Sequence, residues 1–265
     1  MKREKWLIVG EDLRLKELAK LLSRPERTIY YKKSRVWNDE LNAIALDFQP
    51  DFVVLPIQPL TFEVNQLYGT SKSIFFAGHV NDTWKEALRP QQPIRYLEHE
   101  GFIWKNARLT AEGFIAGFYE KERRVIKGKR FVISGFGRIS KMLASLLDRM
   151  GAEVCIVARS IVQVSEAKAY GYEAEMLDRY VRKQEDEYLI NTIPAPWLTE
   201  NYAKQLPKTI YDLASIPGCL NMDEKNLSKY ELWPGLPGKY FAEDAAHALW
   251  QTIEGELPPC SKEKE

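Results

Sequence analysis

The chain has 265 residues, 45% of them apolar and 28% charged, and its formal net charge is +1. That length suits one large or two modest domains, and the near-neutral balance gives no electrostatic case for nucleic acid or for an anionic membrane surface. Cys155, Cys219 and Cys260 form no Cys-x-x-Cys or Cys/His spacing, no apolar run approaches the roughly 18 residues that span a bilayer, and nothing behind Met1 reads as a signal peptide, so we expect a cytoplasmic protein without disulfides or a metal site.

Trp6 to Val9 reads as a first strand, and Gly10-Glu-Asp12-Leu-Arg14 as a turn into a helix over Leu15 to Leu22. Lacking a second glycine, this turn is not expected to hold a dinucleotide. A short strand follows at Thr28 to Tyr31, a helix at Asp39 to Phe48, a buried strand at Asp51 to Leu55 ended by Pro56 and Pro59, and another strand at Ser73 to Phe76 closed by Ala77-Gly78. Strands alternating with helices mean an open α/β sheet, so residues 1–105 read as a flavodoxin-like domain. Asn106 to Gly113 is expected to open a helix reaching about Arg124, with Thr110 as its N-cap and Glu112 in its first turn, linking the two halves over residues 106–126.

Lys129 to Ser134 reads as a strand, Gly135-Phe136-Gly137 as a turn, and Lys141 to Met150 as a helix with Met142, Leu143, Leu146 and Leu147 on one face. Gly151 stops it, and Glu153 to Val157 is a second strand. Strand, Gly-x-Gly turn, helix and strand together form a dinucleotide-binding unit. Gly135 permits the tight turn, and Gly137 lets the backbone approach a pyrophosphate lying on the free N–H groups that open the helix. Gly135, Phe136, Gly137, Arg138 and Ile139 are therefore candidate cofactor residues, with Ser140 where a third small Gly or Ala is usual. An NAD site usually carries Asp or Glu after the second strand, whereas this chain has Ala158-Arg159-Ser160. A guanidinium beside a hydroxyl suits a 2′-phosphate, so the expected cofactor is NADP, held by Arg159 and Ser160.

A helix over Val162 to Tyr170 and strands at Glu187 to Asn191 and Thr209 to Leu213 continue this second half. Each strand runs into a proline-containing loop, and the carboxyl ends of such strands face the ligand. Thr192, Ile193, Pro194, Leu213 and Ala214 are thus expected to line the cofactor cleft. Pro234-Gly-Leu-Pro-Gly238 reads as a rigid turn before a last helix from Ala242 to Ile253. The expected organisation is a flavodoxin-like open sheet (1–105), a linking helix (106–126), a Rossmann NAD(P)-binding domain (127–238), and a C-terminal helix packing back on the first domain, with a tail (239–265).

Gly10 to Arg14, Asp51 to Pro56, Thr110 to Gly113, Gly135 to Arg138, Ala158 to Ser160, Asn191 to Ala195, Asp212 to Ser215 and Pro234 to Gly238 stand in an order and spacing that resemble the A-type component of dipicolinate synthase from spore-forming bacteria. The resemblance implies a two-domain enzyme similar to the D-2-hydroxyacid dehydrogenases, forming dipicolinate from a dihydro- or hydroxytetrahydro-dipicolinate with NADP. It also implies a partner, the flavoprotein-like B subunit of dipicolinate synthase, and the mother cell of a sporulating bacterium as setting, and we expect a homo-oligomer. The chain departs from the family pattern at Ala107-Arg-Leu109, Ile216, Cys219 and Phe241-Ala-Glu-Asp244. Two alternatives therefore stay open: an enzyme of the same fold with a different substrate, or an NADP-binding subunit without catalytic activity.

A doubly anionic substrate needs cations or N–H donors, and its oxidation needs a proton acceptor. Arg14, at the carboxyl end of the first strand, is the candidate carboxylate fork. Asn106, Thr110 and the N–H groups opening the linking helix are candidates for the second carboxylate, with Ser215 on the loop after the Thr209 strand. Glu112 and His79 are the candidate bases, while His99 and His247 read as structural.

Overall fold

The computed structural model describes residues 3–207, 209–221 and 229–257; Cys260 lies outside them. The chain divides into two units, residues 1–106 with 237–265, and residues 107–236. No helix among the described residues is long and apolar enough to cross a membrane.

The first unit runs β1 (Glu4–Val9), α1 (Leu13–Leu22), β2 (Arg27–Lys32), β3 (Val36–Trp37), α2 (Asp39–Phe48), β4 (Phe52–Val54), β5 (Thr61–Phe62), β6 (Ile74–Ala77), α3 (Asp82–Ala87) and β7 (Ile94–Arg95) into the start of α4 (Glu100–Glu122). Its main sheet is parallel throughout, in the order β2-β1-β4-β6-β7, the flavodoxin-like arrangement. β1 is apolar without alternation because both faces are covered. Trp6 and Ile8 enter a core with Leu15, Leu18 and Leu22, while Leu7 and Val9 enter another with Trp37, Leu41 and Trp84. Asp12, Asn38 and Asn81 cap α1, α2 and α3, each side chain accepting an N–H from the first turn.

The second unit continues α4 into β8 (Arg130–Ser134), α5 (Arg138–Arg149), β9 (Glu153–Ala158), α6 (Ile161–Ala169), β10 (Glu173–Met176), β11 (Tyr188–Asn191), α7 (Glu200–Ala203), β12 (Thr209–Asp212) and β13 (Lys229–Leu232). The parallel order β10-β9-β8-β11-β12-β13 is the doubly wound Rossmann arrangement, with its switch point between β8 and β11. β10 and β13 are absent from the expected elements, since Glu173-Ala-Glu-Met176 and Lys229-Tyr-Glu-Leu232 are half polar, as edge strands tolerate.

Two local expectations are corrected. α4 opens at Glu100, so Thr110 is a buried mid-helix residue rather than an N-cap, and Glu112 is not in a first turn. Ala107, Ala111, Phe114 and Phe118 are buried at helical spacing on one face, and Phe102, in the turn before, is buried in the first unit's core beside Tyr96; these burials outweigh the capping preference of a single threonine. Pro234 to Gly238 is not a simple turn: it leads directly into a short helix, α8 (Leu236–Tyr240), ahead of α9 (Ala242–Glu256).

α9 returns to the first unit, where Leu249, Trp250 and Ile253 join Trp6, Leu15 and Leu18. Its first turn carries Glu243 and Asp244, acids in the place where a helix dipole favours them, and no side chain caps it. Glu243 and His247 also border a shallow groove with Glu17 and Lys20 of α1. Gly238 of α8 packs so closely on the α1 cap that a Cβ there would lie 2.3 Å from Asp12 Oδ1. Gly238→Ala must displace the carboxylate that accepts the Arg14 backbone N–H and pairs with its guanidinium. We expect a loss on the order of 2 kcal/mol, read as a lowered thermal midpoint; an unchanged midpoint would refute this packing.

Candidate functional site

The turn after β8 separates two glycines by their reasons. Gly135 has φ +85°, and a Cβ there would meet Ile193 Cγ1 and Thr192 Oγ1 at 3.1 Å, so both conformation and packing ask for glycine. Gly137 has φ −84° and ψ −167°, which any residue adopts, and a Cβ there would meet nothing within 4 Å. The protein's own packing at Gly137 leaves room for a side chain. Gly137 is also the N-cap of α5, contributes no side-chain cap, and precedes a first turn without acidic residues. The N–H groups and positive dipole end of α5 are thus free of any competing side-chain anion from its own cap or first turn.

Phe136 is buried against Tyr170 and Tyr172, while Gly137 and Arg138 are exposed and Ile139 is half-buried. Ser140 is fully buried and its hydroxyl donates to Gly135 O at 2.7 Å, so the serine in the third small position closes the turn rather than merely fitting beneath it. At the end of β9, Arg159 and Ser160 are both exposed, and the Ser160 hydroxyl makes no capping bond to α6.

Three strands of this sheet end in polar residues that are completely buried: Ser134, Asn191 and Asp212. The Ser134 hydroxyl donates to Asn191 Oδ1 at 2.6 Å, and Asn191 Nδ2 donates to Asp212 Oδ1 at 2.6 Å and to Ile193 O at 3.0 Å. Asn191 Oδ1 also accepts Ile193 N–H and the Trp197 indole N–H, each at 3.1 Å. Asp212 further accepts Ala214 N–H at 3.0 Å, Cys219 N–H at 2.7 Å and the Tyr230 hydroxyl at 2.8 Å. Thr192 donates its hydroxyl to Ser134 O at 2.7 Å. The loops holding Thr192, Ile193 and Pro194, and Leu213 and Ala214, are therefore fixed from beneath, with Pro194 exposed on the first and Ser215 on the second. Sequence reasoning missed Ser134, Asn191 and Asp212 as a set; the available signal was a hydrogen-bonding residue ending each of three otherwise apolar strands.

In the first unit, Arg14 is only 2% exposed. Its Nε donates to Asp12 Oδ2 at 2.9 Å and its Nη1 to Asn106 Oδ1 at 3.1 Å, so Arg14 and Asn106 meet as expected of a common cluster, with Asp12 as the member sequence reasoning left out. This guanidinium is committed to internal partners. Thr110 is buried in mid-helix, so the backbone N–H groups expected around it for a second carboxylate belong to helix hydrogen bonds instead. Glu112 pairs with exposed Arg108 at 2.8 Å on the surface of α4. His79 follows β6 and is exposed, yet partial desolvation, and then the Arg95 charge, hold its pKa below the ordinary 6.5.

Cys155, Glu173 and Glu175 come within 4.8 Å of one another, the spacing of a metal-ligand set. The carboxylates are already taken, Glu173 by Arg130 at 2.7 Å and by Lys183, and Glu175 by Lys183 at 3.4 Å. Burial pushes the Cys155 thiol up to about 12, which keeps it protonated and a poor ligand.

No protein-family model matches the chain. It is 26% identical to the A component of Bacillus subtilis (strain 168) dipicolinate synthase over 97% of each chain. Among solved structures, the corresponding component of Bacillus halodurans dipicolinate synthase superposes with a TM-score of 0.73 at 21% identity, covering 97% of this chain and 99% of that one. The D-lactate dehydrogenase of Escherichia coli superposes with a TM-score of 0.57 at 13% identity, covering 96% and 98%. The resemblance read from the motifs is borne out, and the fold is the one shared by the dipicolinate synthase A component and the Rossmann-type dehydrogenases.

Two measurements check this geometry without ligand. Gly135→Ala should cost about 1–3 kcal/mol of stability, for strain at positive φ, whereas Gly137→Ala should cost only the preference of an N-cap for glycine over alanine, about 0.5–1 kcal/mol. Equal losses in thermal unfolding would contradict the assignment. By NMR titration the His79 ring should protonate below pH 6.5, leaving it mostly neutral at pH 7; a midpoint at or above 6.5 would contradict the desolvation and the Arg95 charge acting on it.

Proposed function

We propose that this chain, similar along nearly its whole length to the A component of dipicolinate synthase, is an NADP-linked oxidoreductase that forms dipicolinate from a dihydrodipicolinate by loss of two hydrogens, or from a hydroxytetrahydrodipicolinate by loss of water and two hydrogens. The observation that carries the reading is Gly137, a glycine required neither by its own φ nor by its neighbours, standing at an α5 N-terminus whose cap and first turn bring no anion of their own. Gly135, Phe136, Gly137, Arg138 and Ile139 would hold the pyrophosphate, and the loops at Thr192, Ile193, Pro194, Leu213 and Ala214 would flank it, since they leave the sheet beside its switch point. Bound NADP would supply the hydride acceptor.

Arg159 and Ser160 would take the 2′-phosphate, because both are exposed and the serine hydroxyl is not spent on capping. His79 is the base we favour, because its lowered pKa leaves it mostly neutral at pH 7, while Glu112 is engaged by Arg108. Arg14, held by Asp12 and Asn106, acts by shaping the turn after β1 rather than by an open guanidinium fork. That burial favours the second reading in one respect: a chain without an accessible arginine here would suit a different acid substrate, or an NADP-binding subunit without catalysis. The partner we propose is a B-type subunit, because the Bacillus subtilis relative is one component of a synthase built from more than one.

Calorimetry tests the cofactor assignment. NADP(H) should bind at least about tenfold tighter than NAD(H), since a charged contact is worth about 1.5–3 kcal/mol. Arg159→Ala should erase that preference while leaving NAD affinity nearly unchanged, and Gly137→Val should abolish binding of both in a folded chain. Equal affinities in the native protein would overturn the NADP assignment; undiminished binding by Gly137→Val would overturn the site.

A further inference from the structure

We infer that Asn191 is a positioning residue for the dinucleotide, acting through the three loops that its side chain ties together. The inference rests on the reading above and deepens it. Asn191 has no exposed surface, and every hydrogen-bonding position of its carboxamide is used. Both amide hydrogens are donated, one to the Asp212 carboxylate and one to Ile193 O. The carbonyl oxygen accepts from Ser134, from Ile193 N–H and from the Trp197 indole.

Each partner belongs to a different part of the proposed cofactor site. Ser134 is the residue before Gly135, so its side chain fixes the root of the Gly-x-Gly turn. Ile193 and Thr192 stand where a Gly135 Cβ would collide, at 3.1 Å, so their loop forms the wall of that turn. Asp212 anchors the Ala214 to Cys219 loop through the N–H groups of both residues. A shift of the carboxamide moves all three at once.

The requirement is for a donor and an acceptor on one side chain, and that makes the role testable by charge. The titratable groups facing Asn191 and Asp212 are the Tyr230 hydroxyl from β13 and the Cys219 thiol from the loop after β12; burial and the Asp212 charge raise the Cys219 pKa, which keeps that thiol neutral near pH 7. N191D keeps the size but sets a second carboxyl against Asp212. Ionised, the two repel. With one proton between them, the introduced carboxyl donates to Asp212 as one amide hydrogen does, while the bond to Ile193 O stays lost, so the loops return only part of the way.

The experiment is to titrate native protein and N191D with NADPH from pH 5.5 to pH 8.5, with thermal unfolding as a check on folding. The variant should bind at least about tenfold more weakly than native at the high end, and the ratio of the two affinities should narrow on acidification without reaching unity. The ratio removes the titration of the cofactor's own phosphate. In the ligand-free chain the Trp197 emission of N191D should titrate over the same range, and W197F should remove that signal. A variant folded at both ends with a pH-independent affinity ratio, or with native affinity at pH 8.5, overturns the role of Asn191 alone. A native chain that binds neither NADP(H) nor NAD(H) overturns the parent reading and this one together.

Discussion

The second unit depends on satisfying polar groups where no water reaches. Ser134, Asn191 and Asp212 end three adjacent strands with no exposed surface, and an unpaired buried polar group costs about 1–3 kcal/mol. Pairing them with one another and with loop N–H groups removes that cost and fixes the loops in a single arrangement. Open α/β sheets present ligands to the carboxyl ends of their strands, so the interactions that make the fold unique also lie beneath the loops of the proposed site. A loop anchored in this way needs little reorganisation when a ligand arrives, which favours affinity.

A related constraint operates in the first unit. Asp12 caps α1, accepts from the Arg14 guanidinium and lies against Gly238 from the far end of the chain. Asn106 accepts from another nitrogen of the same guanidinium. Glycine at 238 is explained by the carboxylate it faces rather than by any unusual φ, so a short sequence motif near the C-terminus is bound to the first βα turn. The apolar side of the same segment, through Leu249, Trp250 and Ile253, completes the core over β1. The acids at Glu243 and Asp244 open α9, where the helix dipole offsets their charge.

Charge in this protein is mostly spent on structure. Arg130 meets Glu173 and Glu187, with Lys183 closing on Glu173 and Glu175, so an acidic set that could otherwise attract a cation is neutralised within the sheet. Exposed Arg159 and Gly137 differ: the described residues show no ion pair for the first, and the second, the N-cap of α5, has room for a side chain that it does not use.

The strands and helices with strong periodicity were legible from sequence: β1, α2, β8, α5 and β9 are apolar at period 2 or 3.6 or apolar throughout, and the Gly-x-Gly turn has a stereochemical reason visible residue by residue. From these follow the two open sheets and the dinucleotide turn. What sequence could not decide was set by contacts between distant residues. The start of α4 at Glu100 goes with the burial of Phe102 against Tyr96, a contact that sequence periodicity does not show. The burial of Arg14 depends on Asn106, 92 residues away. The joining of Ser134, Asn191 and Asp212 depends on strand order β8-β11-β12, which puts residues 57 and 21 positions apart within hydrogen-bond reach. Local propensity acts over a few residues, while burial and hydrogen-bond satisfaction act on whatever the topology brings together, and that is why the turn could be read in advance and the network beneath it could not.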